Sequence, residues 1–164
     1  MDIKMMSLDK FIETMDHEFG EIGITLSAYG YKVDSDANGL KKQCRLNQLK
    51  SVDYIYPKNS KFPLIEFSDI ARQYENIKND SDKIANCDLD CKTKKRIIKD
   101  RNKIIHSELV QKFKDTITLI NNLHIYVTDI PDDLQNNSLP YYVVVAPFNA
   151  KIETEKKRGV SQIF

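Results

Sequence analysis

Two β-prone runs joined by a short turn are the feature that most constrains the fold of this chain. The runs are residues 52–56, VDYIY, and residues 62–68, FPLIEFS, and residues 57–61, PKNSK, separate them. Pro57 ends the first run, and a turn this short joins strands that pair antiparallel. Pro63 is compatible with a strand only at its start. The sequence therefore predicts a β-hairpin in the middle of the chain.

Helical patterns are found on both sides of this hairpin. Apolar residues at three- and four-residue steps predict a helix over residues 7–29, and a helix capped by Asp69 is predicted over residues 69–78. Residues 79–91 are polar and acidic, which predicts a loop. Residues 92–121 carry the longest apolar stripe and predict one long helix.

Two further strands are predicted after the long helix. They cover residues 123–130 and 141–148, and the second, YYVVVAPF, is apolar enough to be expected at the centre of a sheet. The connection over residues 69–121 is long enough for a right-handed crossover to a parallel strand. We therefore expect an α/β fold with a mixed central β-sheet flanked by helices.

Length and composition predict one globular domain. The 164 residues are 41% hydrophobic and 30% charged, which excludes full disorder. The expected core covers about residues 7–148, and residues 149–164 form a charged tail. The net charge of +1 excludes a polycation, so contact with nucleic acid would need a local basic patch. No apolar stretch is long enough to span a bilayer, and no membrane partner is expected.

The cellular setting follows from the cysteines and from the residue usage. Three Cys residues behind an N-terminus that lacks a signal-peptide pattern predict reduced thiols in a cytoplasm. Abundant Lys, Ile and Asn favour a low-GC genome, so we expect a bacterial cell or a host cell infected by a phage or virus.

One acid in each strand of the hairpin is the strongest chemical signal. Asp53 lies in the first run and Glu66 near the end of the second. If the strands pair, the two carboxylates approach each other, and a divalent cation relieves their repulsion. Hard oxygen ligands favour Mg²⁺ or Mn²⁺. The alternative is that both are ordinary surface carboxylates on strands.

The order of these acids and elements resembles the PD-(D/E)XK nuclease superfamily. The pattern of that family is an acid on one strand, about a dozen residues, and Glu-x-Lys on the next strand before a helix. Residues 52–56 resemble its first motif and residues 64–69, LIEFSD, its second. The resemblance implies a restriction-endonuclease-like core, Mg²⁺-dependent hydrolysis of DNA, and Asp53 and Glu66 as metal ligands. It also implies an assisting Glu on an N-terminal helix, for which Glu18 and Glu21 are the candidates.

The chain departs from this family at one important position. Ser68 stands where active members have the motif Lys, and a Ser hydroxyl supplies no positive charge. Ser68 or its carbonyl would then lie close to the metal, and Arg72, Lys112 or Lys114 would replace the missing cation. The alternative is an inactive nuclease fold, such as a phage- or virus-type accessory protein that acts through protein or nucleic-acid contacts.

Basic residues occur in two local groups that are candidates for contact with a phosphate backbone. The alternative is that both groups are ordinary solvated surface. The sequence does not decide the oligomeric state, and a homodimer or a larger complex is compatible with it. The groups comprise Lys41, Lys42, Arg45 and Lys50, and a second set within residues 92–103 that includes Lys94, Lys95 and Arg96.

Other types of site are disfavoured by the sequence. Cys87 and Cys91, with Cys44 and His106, lack the spacing of a zinc site. The chain has no Gly-rich phosphate loop. No His lies in a recognisable catalytic motif.

Overall fold

The computed structural model describes residues 5–17, 19, 25–35, 37–135 and 139–145. These residues form a mixed α/β fold, which confirms the predicted class. The strands are β1 (Met6–Ser7), β2 (Ile12–Thr14), β3 (Tyr29–Lys32), β4 (Tyr54–Ile55), β5 (Leu64–Ser68), β6 (Val127–Thr128) and β7 (Tyr141–Val145). The α-helices are α1 (Leu40–Gln43), α2 (Ile70–Ala85), α3 (Cys91–Asn102) and α4 (Ile104–Asn122).

Five strands form the main sheet in the order β2-β3-β4-β5-β7, and β1 pairs in parallel with β6 in a separate ladder. The pairs β2–β3, β3–β4 and β4–β5 are antiparallel. β7 lies beside β5, where Leu64 N donates to Pro140 O at 2.7 Å. The prediction that residues 141–148 form a central strand is wrong for the described part, because β7 is the last strand of this sheet.

The predicted hairpin is confirmed as β4 and β5. Tyr54 pairs with Ile65, and Ile55 pairs with Leu64. The turn keeps the same register, because Lys58 and Lys61 exchange two backbone hydrogen bonds of 2.9 Å. Asn59 and Ser60 between them both have positive φ values, 49° and 58°. This is the turn geometry that matches the twist of paired strands.

The predicted helix over residues 7–29 is wrong. Its described residues form β1, a 3₁₀ turn at Leu8–Phe11, β2 and the start of β3. Leu8 and Phe11 belong to the main core, whereas Met15 belongs to a small cluster with Tyr54 and Ile65. The apolar spacing is therefore helical only by coincidence, because its residues contribute to two different clusters.

Three other predicted boundaries also change. The loop expected at residues 79–91 is wrong for residues 79–85, since α2 continues to Ala85, and residues 86–90 connect α2 to α3 without a helix or strand. The long helix expected at residues 92–121 is two helices, α3 and α4, which Lys103 separates. The strand expected at residues 123–130 is a 3₁₀ turn at Leu123–Ile125 followed by β6. Asp69 does cap α2, accepting a hydrogen bond from Arg72 N, as predicted.

The chain divides into two compact units. The first contains the described residues of Met1–Phe67 and Val110–Val144, and the second those of Ser68–Leu109 and Val145–Phe164. The core of the first unit joins the sheet to the second half of α4, with Ile55, Leu64, Leu119 and Ile120 among its buried members. In the second unit α2 packs against α3. Among the described residues, no helix has the length and apolarity needed to cross a bilayer.

Candidate functional site

Asp53 lies directly before β4 and is held by both neighbouring strands. Its N–H donates to Ile65 O at 3.1 Å, and its carbonyl accepts from Val33 N at 2.9 Å. Its carboxylate Oδ2 accepts a hydrogen bond from Phe67 N at 2.7 Å. A bond from a backbone N–H to a charged oxygen is stronger than a neutral one. The orientation of the Asp53 carboxylate is therefore fixed against β5.

Glu66 is the central residue of β5 and is 3% exposed. Side chains alternate along a strand, so Glu66 lies on the same side as Leu64, which belongs to the main core. Lys112 Nζ, on α4, lies 2.5 Å from Glu66 Oε1. A charge so deeply buried requires a partner of opposite charge. The pairing of Glu66 with Lys112 meets that requirement.

Thr116 fixes this part of α4 to the strand that leads into Asp53. Its buried Oγ1 accepts from Val52 N at 3.0 Å and donates to Lys112 O at 2.7 Å. Lys112 therefore lies one helical turn before Thr116, and Thr116 is hydrogen-bonded to Val52, the residue that precedes Asp53. The local packing brings the Lys112 cation and the two acids into one part of the first unit.

Tyr141 links the two acids electrostatically. It begins β7 and packs its ring against Phe113, with centroids 5.5 Å apart. Burial raises the pKa of the Tyr141 phenol, and the negative charges of Glu66 and Asp53 raise it further. Both carboxylates therefore act on one hydroxyl group. Sequence reasoning missed Tyr141, because the first residue of an apolar run looks like a packing residue.

A second polar cluster surrounds the buried hydroxyl group of Tyr54. Tyr54 Oη accepts from Asp16 N and from Lys32 Nζ, each at 3.1 Å, and donates to Glu13 Oε1 at 3.2 Å. Burial alone would lower the Lys32 pKa, but the bond to Tyr54 and the charges of Tyr54, Asp53 and Glu13 raise it. Lys32 therefore remains a cation within the electrostatic reach of Asp53. Sequence reasoning missed this cluster as well.

Ser68 and the other two candidates for the missing cation lie at different positions. In the second unit, Ser68 is buried and its Oγ accepts from Gln73 Nε2 at 3.2 Å. Arg72 is exposed, and its backbone N–H donates to the capping Asp69. Lys114 is exposed on α4. Among the three proposed substitutes for the motif Lys, Lys112 contacts Glu66, with Nζ donating to Oε1.

The predicted third ligand lies outside the described residues, since neither Glu18 nor Glu21 is among them. Within the described ranges, no group of three or more His, Cys, Asp or Glu side chains is placed to hold a metal ion. A cation at this site would therefore have Asp53 and Glu66 as its described protein ligands.

The cysteines and the first basic group are placed as follows. Burial raises the pKa of the Cys44 thiol to about 11, Cys87 Sγ donates to Ile84 O at 2.9 Å, and Cys91 is exposed. Lys41 Nζ lies 2.5 Å from Asp34 Oδ1, so the Asp34 carboxylate offsets the Lys41 charge. Lys42, Arg45 and Lys50 are exposed.

Comparisons with family models, with curated proteins and with solved structures give no significant match for this chain. Any functional assignment therefore depends on the arrangement of these side chains.

Proposed function

We propose that this chain hydrolyses DNA phosphodiesters with a divalent cation, Mg²⁺ or Mn²⁺, held by Asp53 and Glu66. The observation that carries the proposal is the pair formed by Lys112 Nζ and Glu66 Oε1, 2.5 Å apart. Sequence reasoning requires a cation that replaces the motif Lys at Ser68, and Lys112 has the charge and the contact for that role. The proposed setting is a reducing cytoplasm, in which the three free cysteines are stable.

The order of elements supports a restriction-endonuclease-like core. Strands β3, β4 and β5 form an antiparallel meander, with Asp53 before the second strand and Glu66 in the third. Helices α2 to α4 follow, and β7 then returns to lie beside β5. An acid on one strand and a Glu on the next, followed by a helix, is what the family resemblance implies.

The donor set fits a hard divalent cation. Mg²⁺ is commonly bound by one or two carboxylates, and waters and substrate phosphate oxygens complete its six ligands. Asp53 and Glu66 supply two carboxylates, and both act on the same Tyr141 hydroxyl group. When bound, such a cation stabilises charge on the phosphoryl group and lowers the pKa of a water ligand.

The surrounding residues have separate roles in this proposal. The Phe67 N–H orients the Asp53 carboxylate. Lys112 offsets the charge of Glu66 and supplies a positive group for the negative charge that develops on a phosphodiester. Tyr141 is protonated at neutral pH, as a tyrosine ordinarily is, and its raised pKa extends this state to higher pH, so it can donate a hydrogen bond through Oη.

A second candidate function is a catalytically inactive module of nuclease-like fold that acts by binding protein or nucleic acid. The low exposure of Glu66, 3%, favours it, because a buried ion pair can serve packing specificity alone. In that case Asp53 and Glu66 stabilise the sheet, and exposed surfaces carry the function.

Plasmid nicking in Mg²⁺ and in Mn²⁺ distinguishes the two functions. We expect nicking by the natural chain, loss of nicking in Glu66→Gln and Asp53→Asn, and at least a tenfold loss in Lys112→Gln. Lys114→Gln is the matched control, because it removes an exposed cation two residues away on the same helix, and it should retain full activity.

Thermal unfolding with and without Mn²⁺ provides the second readout. A ligand that binds only the folded state raises the melting temperature. We expect this increase in the natural chain and in Lys112→Gln, and its loss in the Asp53→Asn, Glu66→Gln double variant. If the natural chain shows neither nicking nor metal stabilisation, hydrolysis is rejected and the binding module is the function that remains.

A further inference from the structure

The charge of this chain is strongly segregated onto α3. This helix carries six cations and one acid, a net charge of +5, while the whole chain has a net charge of +1, so the rest of the chain carries −4. The neighbouring α2 has three cations and three acids and is neutral. The positive excess of the protein therefore lies on one helix of the second unit.

Two of the α3 cations are used inside the helix pair. Lys94 Nζ donates to Ala85 O, in the last turn of α2, at 2.9 Å, and Arg101 Nη1 lies 2.7 Å from Asp80 Oδ2. Lys94 and Arg101 are seven residues apart and so share one face of α3. These contacts turn that face towards α2.

The opposite face of α3 is a continuous basic stripe. Lys94 and Lys103 are nine residues apart, about two and a half helical turns, so they lie on opposite sides of the helix. Four exposed cations at steps of four, three and four residues form this face, which we call the α3 stripe. They are Lys92, Arg96, Lys99 and Lys103.

We infer that the α3 stripe binds the phosphate backbone of a duplex nucleic acid. From Lys92 to Lys103 the stripe is about 16 Å long at the helical rise per residue. One strand of a DNA duplex presents a phosphate about every 3.4 Å along the axis, so this length covers four or five phosphates. The four cations of the stripe match that number.

The chemistry of the stripe favours nucleic acid over other occupants. Cores of protein–protein interfaces are depleted in Lys, and amphipathic membrane helices present large apolar residues beside their cations. The exposed residues of α3 are cations together with Cys91, Asp100 and Asn102, and none of them is a large apolar residue. Single-stranded nucleic acids are bound largely by stacking on aromatic side chains, and α3 has none. A duplex backbone is the occupant that requires neither apolar nor aromatic contacts.

The inference does not depend on the proposed hydrolysis, because binding is measured in EDTA, where no cleavage occurs. The probe is a fluorescein-labelled DNA duplex of mixed sequence, and the readout is fluorescence anisotropy between 50 and 200 mM salt. With four phosphates contacted, log K should fall against log salt concentration with a slope of about −3.6.

The test variant is Lys92→Gln, Arg96→Gln, Lys99→Gln, Lys103→Gln. Gln has a helix propensity close to that of Lys and Arg, so α3 should persist, as circular dichroism would verify. The control variant changes Lys10, Lys61, Lys78 and Lys83 to Gln, which alters the net charge equally at exposed positions. We expect the test variant to bind at least tenfold more weakly with a nearly flat salt dependence, and the control to bind like the natural chain.

Three outcomes would overturn the inference: equal weakening in both variants, tighter binding of a single strand than of the duplex, or displacement of the duplex by polyglutamate at equal charge concentration. The first would indicate a general field, the second a stacking surface and the third an acidic protein partner. Comparable binding of an RNA duplex would support the inference, since the shared chemistry is the phosphate backbone.

Discussion

Lys112 on α4 and Glu66 on β5 form an ion pair with a separation of 2.5 Å between Nζ and Oε1, although 46 positions separate them in the chain. The Glu66 side chain is 3% exposed and that of Lys112 is 21% exposed. The carboxylate therefore depends on this cation far more than a surface acid would. The same pair connects the stability of the first unit to the proposed chemistry.

Lys112→Met should destabilise the protein strongly. The variant leaves the buried Glu66 charge without the Lys112 cation, and removing one partner of a buried pair costs about 3 kcal/mol. Urea unfolding of the variant and the natural chain measures this difference. Lys114→Met, on an exposed side chain, should change the free energy of unfolding by less than about 0.5 kcal/mol. Adding Glu66→Met should recover most of the loss, and a stable single variant would show that the pair contributes little.

Asp53→Asn and Asp53→Ala should separate fold from metal binding. The Asn side chain keeps an oxygen that can accept from Phe67 N, whereas Ala removes the acceptor and costs about 2 kcal/mol. Chemical unfolding should therefore give Asp53→Ala a clearly lower free energy of unfolding than Asp53→Asn, and the value for Asp53→Asn should be close to that of the natural chain. Neither variant should gain melting temperature from Mn²⁺. A metal-dependent increase in Asp53→Ala would remove Asp53 from the proposed site.

The ionisation of Tyr141 reports on both carboxylates. Its pKa is raised by burial and then by the charges of Glu66 and Asp53, so neutralising either acid should lower it. NMR titration of labelled tyrosine rings should show a decrease in Glu66→Gln and a smaller one in Asp53→Asn. Asp133→Asn, at an exposed site, should have no effect. An unchanged Tyr141 pKa in both acid variants would mean that the two carboxylates do not act on the Tyr141 hydroxyl group.

Acid should destabilise α3 through its cap. The bond between Asp90 and Thr93 is the main cause that lowers the Asp90 pKa below its usual value of 3.8, with backbone N–H bonds adding to it. A lowered folded pKa contributes stability that is complete above about pH 4 and is lost as the pH falls through the folded value. In Asp90→Ala this part of the pH dependence should vanish. Circular dichroism of both proteins between pH 2 and 6 measures this difference. Identical pH profiles of helix content in the natural chain and in Asp90→Ala would contradict the prediction.

The three thiols should differ in reactivity. Burial raises the pKa of Cys44 to about 11, so at pH 8 that thiol is almost entirely protonated and shielded. Cys91 is exposed and Cys87 is half-buried. A thiol-exchange reagent should therefore titrate two groups in the folded protein, Cys91 first, and a third only after unfolding. Fast reaction of Cys44 in the folded chain would contradict its placement in the core.

Local chemistry made the hairpin predictable from the sequence. Pro57, the short turn and the β-prone runs all act within a few residues, and the resulting register places Asp53, directly before β4, beside the middle of β5, where Glu66 lies. The Asp69 cap was predictable for the same reason, since a side chain bonds a backbone N–H three residues away.

The remaining features depend on contacts that no local pattern contains. The N-terminal segment has helical spacing, yet Phe11 and Met15 pack in different clusters. The end of α2 looks like an acidic loop, but Asp80 pairs there with Arg101 of α3. Sequence reasoning named Lys112 among several cations without a means of choosing, because only the packing of α4 selects it. The family resemblance and the catalytic roles of these residues remain predictions.

The hydrogen bond from Phe67 N to the Asp53 carboxylate has a consequence for how this protein can change. The Asp53 carboxylate accepts a structural hydrogen bond and is also a proposed metal ligand, so a substitution at this position affects both the sheet and the proposed chemistry. A related protein that lost the hydrolytic activity would still need Asp or Asn at this position, because the side-chain oxygen accepts the hydrogen bond from Phe67 N in β5. The presence of an aspartate at this position would therefore not by itself indicate activity.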